Sequence, residues 1–270
     1  MRKPIMTAAA PDPATLLPRL VALIREAGRV ALAVRGAGFD IETKPDESPV
    51  TAADREAERV ILAGLRALDP LLPIVAEEAA AAGDVPDVSA SFWLVDPIDG
   101  TKEFVHGNGE FTVNIALVDC GRPRLGLVYA PALERLFVGG EGVGAWVEDG
   151  RGRRVLATRP VPAAGLTVVG SRWHGDDAAV DAFLRGRRVA ERATVGSSLK
   201  LCLIAEGAAD VYPRFGRTME WDIAAGDAVL RAAGGTVLTL DGQPLRYGKA
   251  GFDNPDFVAW GRAPSTSAAA

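Results

Sequence analysis

The chain has 270 residues with a net charge of −5 and a sequence pI near 5.2. Apolar residues make up 48% and charged residues 24%, an ordinary globular composition for one large domain or two packed halves. The acidic balance excludes a basic footprint for nucleic acid or an anionic membrane, so an anionic ligand needs a local source of positive charge such as a metal.

The N-terminal stretch MRKPIMTAAAPDPA has no apolar core of signal-peptide length. No run approaches membrane-spanning length. Cytoplasmic location is expected, with loose association at the inner membrane surface as the second expectation. Leu16, Leu20, Leu23, Ile24, Ala27, Val30, Ala31 and Val34 recur at helical spacing, predicting a helix over 15–35. DIETKPDESPV (40–50) is polar, with two prolines, and reads as a loop or hairpin. Thr51 opens a second helix with Val60, Ile61 and Leu65 on one face.

From 91 to 148 the segments SFWLV, TVNIALV, RLGLVYA, RLFVG and GAWVE are short and β-rich. Gly or Pro separates them, which predicts a meandering, mainly antiparallel sheet. GGEGVGAW (139–146) fits no nucleotide-binding glycine pattern and reads as a hairpin. Beyond 159–165 the pattern alternates. LTVVG is a strand and 176–185 a helix. Residues 197–206 form a helix stopped by Gly207, and ADVYP a strand. Residues 222–233 form a helix stopped by Gly234-Gly235, and TVLTL follows. Alternation predicts an α/β half. The expected organisation is 1–160, an α+β half; 161–263, an α/β half; and 264–270, a tail.

Cys120 and Cys202 lie in apolar runs and read as buried free thiols in a reducing compartment. His106 and His174 have no ligand spacing, and His106 reads as a loop residue. A histidine-rich zinc site is excluded.

Acids instead collect where strands or loops meet helices. PVTAAD ends in Asp54, LLPIVAEE in Glu77-Glu78, WLVDPIDGT holds Asp96 and Asp99, and MEWDIAAG holds Asp222. Charges after apolar residues need compensation. Hard oxygen donors without His or Cys suit Mg²⁺, and several acids around two or more ions suit phosphoryl hydrolysis. Gly100-Thr101 adds close backbone approach and free N–H groups for phosphate. Each acid also has a plainer reading. Thr51-Ala-Ala-Asp54 is a capping box, Asp222 an N-cap, and Glu78 a solvated or supporting acid. The set is more specific than any member.

DPIDGT (96–101) and WDIAAG (221–226), with SPVTAAD and EE upstream, resemble the Mg²⁺-dependent, lithium-sensitive inositol monophosphatase superfamily. DGTKEF, NGEFTVNIALV, GLVYAP and VGSSLKLCLIAEGAADVYPRFG resemble its CysQ-type 3′(2′),5′-bisphosphate nucleotidases, over roughly residues 15–260. The resemblance implies a layered αβαβα sandwich of mixed α+β and α/β character. It implies a cytoplasmic enzyme that releases the 3′-phosphate of adenosine 3′,5′-bisphosphate as part of sulfur-assimilation nucleotide recycling. Two or three Mg²⁺ ions are implied on Glu77, Asp96, the Ile98 carbonyl, Asp99 and Asp222. Asp54 and Thr101, with Glu77, are the implied catalytic residues. The Gly100 and Thr101 amides would hold phosphate. Ser171, Ser197, Lys200, Arg214 and Asp222 are implied on the substrate side. Without the resemblance, Ser197 and Ser198 read as a helix cap and Lys200 and Arg214 as surface cations. Some eukaryotic relatives carry a histidine at about the place of Ser171, so contacts to the base do not carry over.

The resemblance implies a small nucleotide bisphosphate as the partner, and no nucleic acid or integral membrane segment is expected. The expected assembly is a monomer or homodimer. The rival readings are an inositol or sugar phosphate phosphatase on the same scaffold, and a nucleotide sensor without turnover. Inositol monophosphatases place an acid for ring hydroxyls in the stretch before Trp-Asp. Here Tyr212-Pro213-Arg214-Phe215-Gly216 favours a more anionic substrate.

Overall fold

The computed structural model describes residues 11–43, 49–88, 90–172 and 176–262. The expected tail, 264–270, and His174 lie outside them. Helix α1 (Pro13–Ala37) starts at Asp12, whose side chain accepts from Ala14 N at 3.1 Å. Strands β1 (Ile41–Thr43) and β2 (Pro49–Thr51) pair antiparallel, so the polar stretch at 40–50 is a hairpin at its described ends. Then follow α2 (Ala52–Leu68), β3 (Ile74–Ala76), α3 (Glu77–Ala81), β4 (Ser91–Asp99) and α4 (Thr101–His106). A meander β5 (Thr112–Asp119), β6 (Arg122–Ala130), β7 (Arg135–Gly140), β8 (Gly144–Asp149) and β9 (Gly152–Val155) comes next. The last part is β10 (Leu166–Gly170), α5 (Asp177–Leu184), β11 (Val189–Thr194), α6 (Leu199–Ala205), β12 (Val211–Arg214), α7 (Glu220–Ala232), β13 (Thr236–Thr239) and β14 (Phe257–Trp260).

Strands β3 to β9 form one sheet in chain order, antiparallel except for the parallel β3–β4 pair. The second sheet has the order β11-β10-β12-β14-β13. Alternation along β4 shows why the first sheet is buried on both faces. Trp93 and Val95 pack with Leu20, Ile24, Ile61 and Leu65 of α1 and α2. Phe92 and Leu94 pack the other way, against Leu201 and Ile204 of α6 and Ala225 and Val229 of α7. Tyr212 and Phe257 bring the second sheet onto the same middle layer. Leu184 of α5 covers its outer face at Val168, Val211 and Trp260. The layers are α1/α2, sheet, α6/α7, sheet, α5: the expected αβαβα sandwich.

The middle layer is tight. A Cβ on Gly126 of β6 would lie 2.2 Å from the Ala225 carbonyl oxygen, and one on Gly139 of β7 2.4 Å from Val229 Cα. Bare backbone at these two positions lets α7 lie directly on the sheet.

Two expectations change. Cys120 is exposed, not buried, because it sits at the β5–β6 turn with φ +50°, at the end of the apolar run; Cys202 is buried and both are free thiols. His106 closes α4 rather than lying in a loop; it is exposed, with Nδ1 2.7 Å from the Lys102 carbonyl oxygen. GGEGVGAW is the β7–β8 hairpin as expected.

Candidate active site

Strand register assembles the acids. Ala76 of β3 pairs with Val95 of the parallel β4, and one more step sets Glu77 beside Asp96. Across the sheet, Asp96 pairs with Asn114 and Asp99 with Thr112. Three steps on β4 thus match two on β5, a bulge at Pro97-Ile98. In a regular strand, residues three apart point to opposite faces. The bulge corrects this, and both carboxylates face the same cleft. Pro97, with no N–H to lose from the ladder, fits a bulge. Asp96 Oδ1 accepts from Ile98 N at 3.0 Å and closes the turn.

Gly100 then turns the chain with φ +85° and ψ 51°, the left-handed region where a side chain is costly, and α4 begins at Thr101. Thr101 Oγ1 lies 3.4 Å from Asp54 Oδ1 and 3.3 Å from the Ile98 carbonyl oxygen. Asp54 is buried behind it at the start of α2. Its other oxygen, Oδ2, accepts from Thr51 N at 2.8 Å and Thr51 Oγ1 at 2.7 Å. The capping-box reading therefore holds, alongside the contact to Thr101.

Helix α7 brings Asp222 from the opposite side. Its Oδ2 accepts from Met219 N at 2.9 Å, so Asp222 stands within the first turn rather than at the N-cap. Ser198 Oγ accepts from Asn114 Nδ2 at 2.9 Å. It lies 2.8 Å from Asp99 Oδ2 and 2.6 Å from the Asp222 carbonyl oxygen, to either of which its one proton can go. This hydroxyl links β4, β5 and α7.

Lys200 is buried, with Nζ donating to the carbonyl oxygens of Ser197 at 2.6 Å and Val195 at 3.3 Å. Ser197 has φ +49°, and its Oγ accepts from Leu199 N at 3.5 Å. Arg214, also buried, donates Nη2 to the Arg217 carbonyl oxygen at 2.7 Å. Neither cation is the surface group that composition alone would give.

These elements enclose a cleft of 540 Å³. Of the expected site residues, Glu77, Asp96, Ile98, Asp99, Gly100, Thr101, Ser171, Ser197, Lys200, Arg214 and Asp222 line it, and Asp54 lies just behind. Sequence reasoning missed Asn114, whose signal was a polar residue inside the apolar run TVNIALV. It also gave no role to Glu103, which is buried in the cleft wall. Burial raises Glu103 above the usual carboxylate range, and the charge of Asp99 adds to this while Lys200 opposes it.

The electrostatics call for a cation. Asp96 is held well above the usual carboxylate range, first by burial, then by the charges of Glu77, Asp99 and Asp222 and a hydrogen bond with Glu77. Asp222 opens onto the cleft, yet is raised too, first by burial and then by Asp99 and Glu77. The neighbouring acids thus make Asp96 and Asp222 costlier to ionise, and a divalent cation would reverse the sign. Among the described residues, no three acids close into a ready-made metal cage. An ion that keeps several waters does not need one.

A profile of the inositol monophosphatase family matches residues 12–264. The chain is 45% identical over 245 residues to the 3′(2′),5′-bisphosphate nucleotidase CysQ of Escherichia coli (strain K12), covering 90% of this chain and 98% of that protein. It is 39% identical to CysQ of Buchnera aphidicola, over 90% of this chain and 93% of that one. Among solved structures, CysQ from Bacteroides thetaiotaomicron superposes with a TM-score of 0.77 at 34% identity, covering 93% and 98% of the two chains. An IMPase of Thermotoga maritima gives 0.75 at 28% identity, covering 92% of each. Register, cleft and similarity agree that the chain belongs to the inositol monophosphatase family.

Proposed function

We propose that this chain is a magnesium-dependent phosphatase that hydrolyses the 3′-phosphate of adenosine 3′,5′-bisphosphate to AMP and phosphate, in sulfur-assimilation nucleotide recycling. The observation that carries this reading is one cleft in which Glu77, Asp96, Asp99 and Asp222 stand opposite Lys200 and Arg214. Acids suited to cations and cations suited to a second phosphate are what a bisphosphate ester requires. The CysQ relatives point the same way.

Glu77, Asp96, the Ile98 carbonyl, Asp99 and Asp222 would hold Mg²⁺ through hard oxygen donors. When bound, Mg²⁺ would neutralise charge on the phosphoryl oxygens and make a water more acidic. The Gly100 and Thr101 amides would hold the phosphate to be cleaved. The Thr101 hydroxyl, beside Asp54 Oδ1, would orient the attacking water, and Asp54 Oδ1 would receive its proton. Water would attack phosphorus, the P–O3′ bond would break, and the leaving alkoxide would take a proton from a solvent water to become the ribose hydroxyl, while the proton held on Asp54 would return to solvent. No bond to the protein forms. Lys200 and Arg214 would hold the phosphate that is not cleaved, with Ser197 and Ser171 lining the nucleotide side.

No described helix is long and apolar enough to cross a membrane. Two free thiols support a reducing, cytoplasmic compartment.

The decisive assay compares kcat/KM for adenosine 3′,5′-bisphosphate with that for inositol 1-phosphate, with Mg²⁺ present. Preference for the nucleotide is expected. Preference for the inositol ester would assign the chain to the rival substrate class, and absence of phosphate release from these two and from sugar phosphates would leave only the sensor.

A further inference from the structure

Glu58 stands one helical turn after Asp54 on α2 and is 6% exposed. Its carboxylate spans two backbone donors. Oε2 accepts from Glu78 N at 2.8 Å, and Oε1 accepts from Ala79 N at 2.9 Å. These are the second and third N–H groups of α3, whose own N-cap, Ala76, supplies no side-chain bond. A carboxylate from a neighbouring helix caps α3 instead.

Helix α3 has five residues, too few to hold its own direction. Two attachments fix its start. One is the β3–β4 ladder, which ends at Ala76. The other is Glu58. Glu77, the first residue of α3, lies between them and faces the cleft. Residues four apart on a helix share a face. From that face of α2, Asp54 reaches Thr101 and Glu58 reaches α3.

We infer that Glu58 is a positioning residue that aims Glu77 at the divalent cation. The helix α2 thereby holds the water-orienting acid and the cation-binding helix in one register. This rests on the proposed role of Glu77 as a metal ligand.

The test titrates Mn²⁺ into the full-length protein without substrate and follows free Mn²⁺ by EPR. Glu58→Gln keeps the volume but turns an amide NH₂ toward a backbone N–H. It should weaken Mn²⁺ binding roughly ten- to a hundred-fold, the usual effect of removing a partner that orients a ligand. Glu58→Asp keeps both acceptor oxygens on a shorter arm and should fall between Glu58→Gln and wild type. Ile61→Val, a core change on the same helix, should lower Tm and leave Mn²⁺ affinity unchanged. Wild-type affinity in both Glu58 variants, with weakened binding in Glu77→Gln, would make Glu58 a plain helix cap and overturn the inference while the metal reading stands. Wild-type affinity in Glu77→Gln would overturn both. An equal loss in Ile61→Val would reduce the effect to stability.

Discussion

Asp54 uses its two carboxylate oxygens for different tasks: Oδ2 closes the capping box with Thr51, and Oδ1 lies 3.4 Å from Thr101 Oγ1. One side chain thus joins the start of α2 to the contact proposed to orient the attacking water, and the two residues separate in experiment. Thr101→Ala removes the hydroxyl and keeps the backbone amide and the cap. We expect kcat to fall about 10²-fold with KM little changed, because water orientation is lost and ground-state phosphate binding is not. An effect on KM alone would contradict the role. Asp54→Asn should lower kcat as well, and should also destabilise the fold by about 1 kcal/mol, the usual worth of a cap.

Asp96 is buried beside Glu77, and its ionisation is opposed by burial and by three neighbouring acids. Asp96→Asn removes one of these charges at constant volume. Without Mg²⁺ the variant should melt at least as high as wild type. With Mg²⁺ it should gain less, since ligand-linked stabilisation needs binding. Activity should fall by at least ~10²-fold, the scale of lost transition-state electrostatics. Thermal melts with and without Mg²⁺ and an activity assay check all three. Near-normal turnover would remove Asp96 from the metal site.

Much of this site was legible because its chemistry is local. DPIDGT places a strand end, two acids and a left-handed glycine within six residues. Short β-rich runs separated by Gly or Pro gave the meander, and helical spacing of apolar residues gave α1 and α2. The contacts that crossed the chain were not legible. Ser198 meets Asn114 across 84 positions, and Glu58 caps α3 across 20, with no local pattern to announce either. Exposure of Cys120 depended on where β5 ends, and a strand end is poorly marked when the turn follows an apolar run. Lys200 and Arg214 read as surface cations from composition. Their burial follows from the packing of α6 against both α7 and β12.

Gly126 is where α7 rests on the sheet, and Asp222 lies three residues before Ala225, whose carbonyl oxygen a Cβ would strike at 2.2 Å. Backbone cannot step aside as a flexible side chain can. Gly126→Ala should therefore cost about 1–3 kcal/mol in chemical denaturation, the range for overpacking. It should also lower kcat by displacing Asp222. Gly150→Ala, with nothing within 4 Å of the new atom, is the control and should be nearly neutral. Equal stability of the two variants would show that α7 has room to move.

Lys200 and Arg214 are the residues proposed to hold the second phosphate and so to set the choice of substrate. Two of the three Lys200 donors hold loop carbonyls, leaving one for an anion. Burial brings its ammonium down to about 8, against the upward pull of Asp99. In the free enzyme the charge is therefore present below about pH 8 and fades above it. The folded state binds this proton less tightly than the unfolded chain, so this group's contribution to stability grows as pH rises from about 8 toward its ordinary value. Binding of a second phosphate should run the other way, since it needs the charge. We expect kcat/KM for the bisphosphate to decline above pH 8 in the wild type, and this limb to vanish in Lys200→Met. At pH 7, Lys200→Met and Arg214→Ala should each raise KM for the bisphosphate roughly ten- to a hundred-fold, as for a lost charge-assisted hydrogen bond of about 1.5–3 kcal/mol. Turnover should change little, because the uncleaved phosphate is held alike in ground and transition states. A monophosphate ester without the second phosphate should show neither the pH limb nor the loss. Equal losses on both substrates would assign these cations to the scaffold or to the reacting phosphate, and the preference for a bisphosphate would need another source.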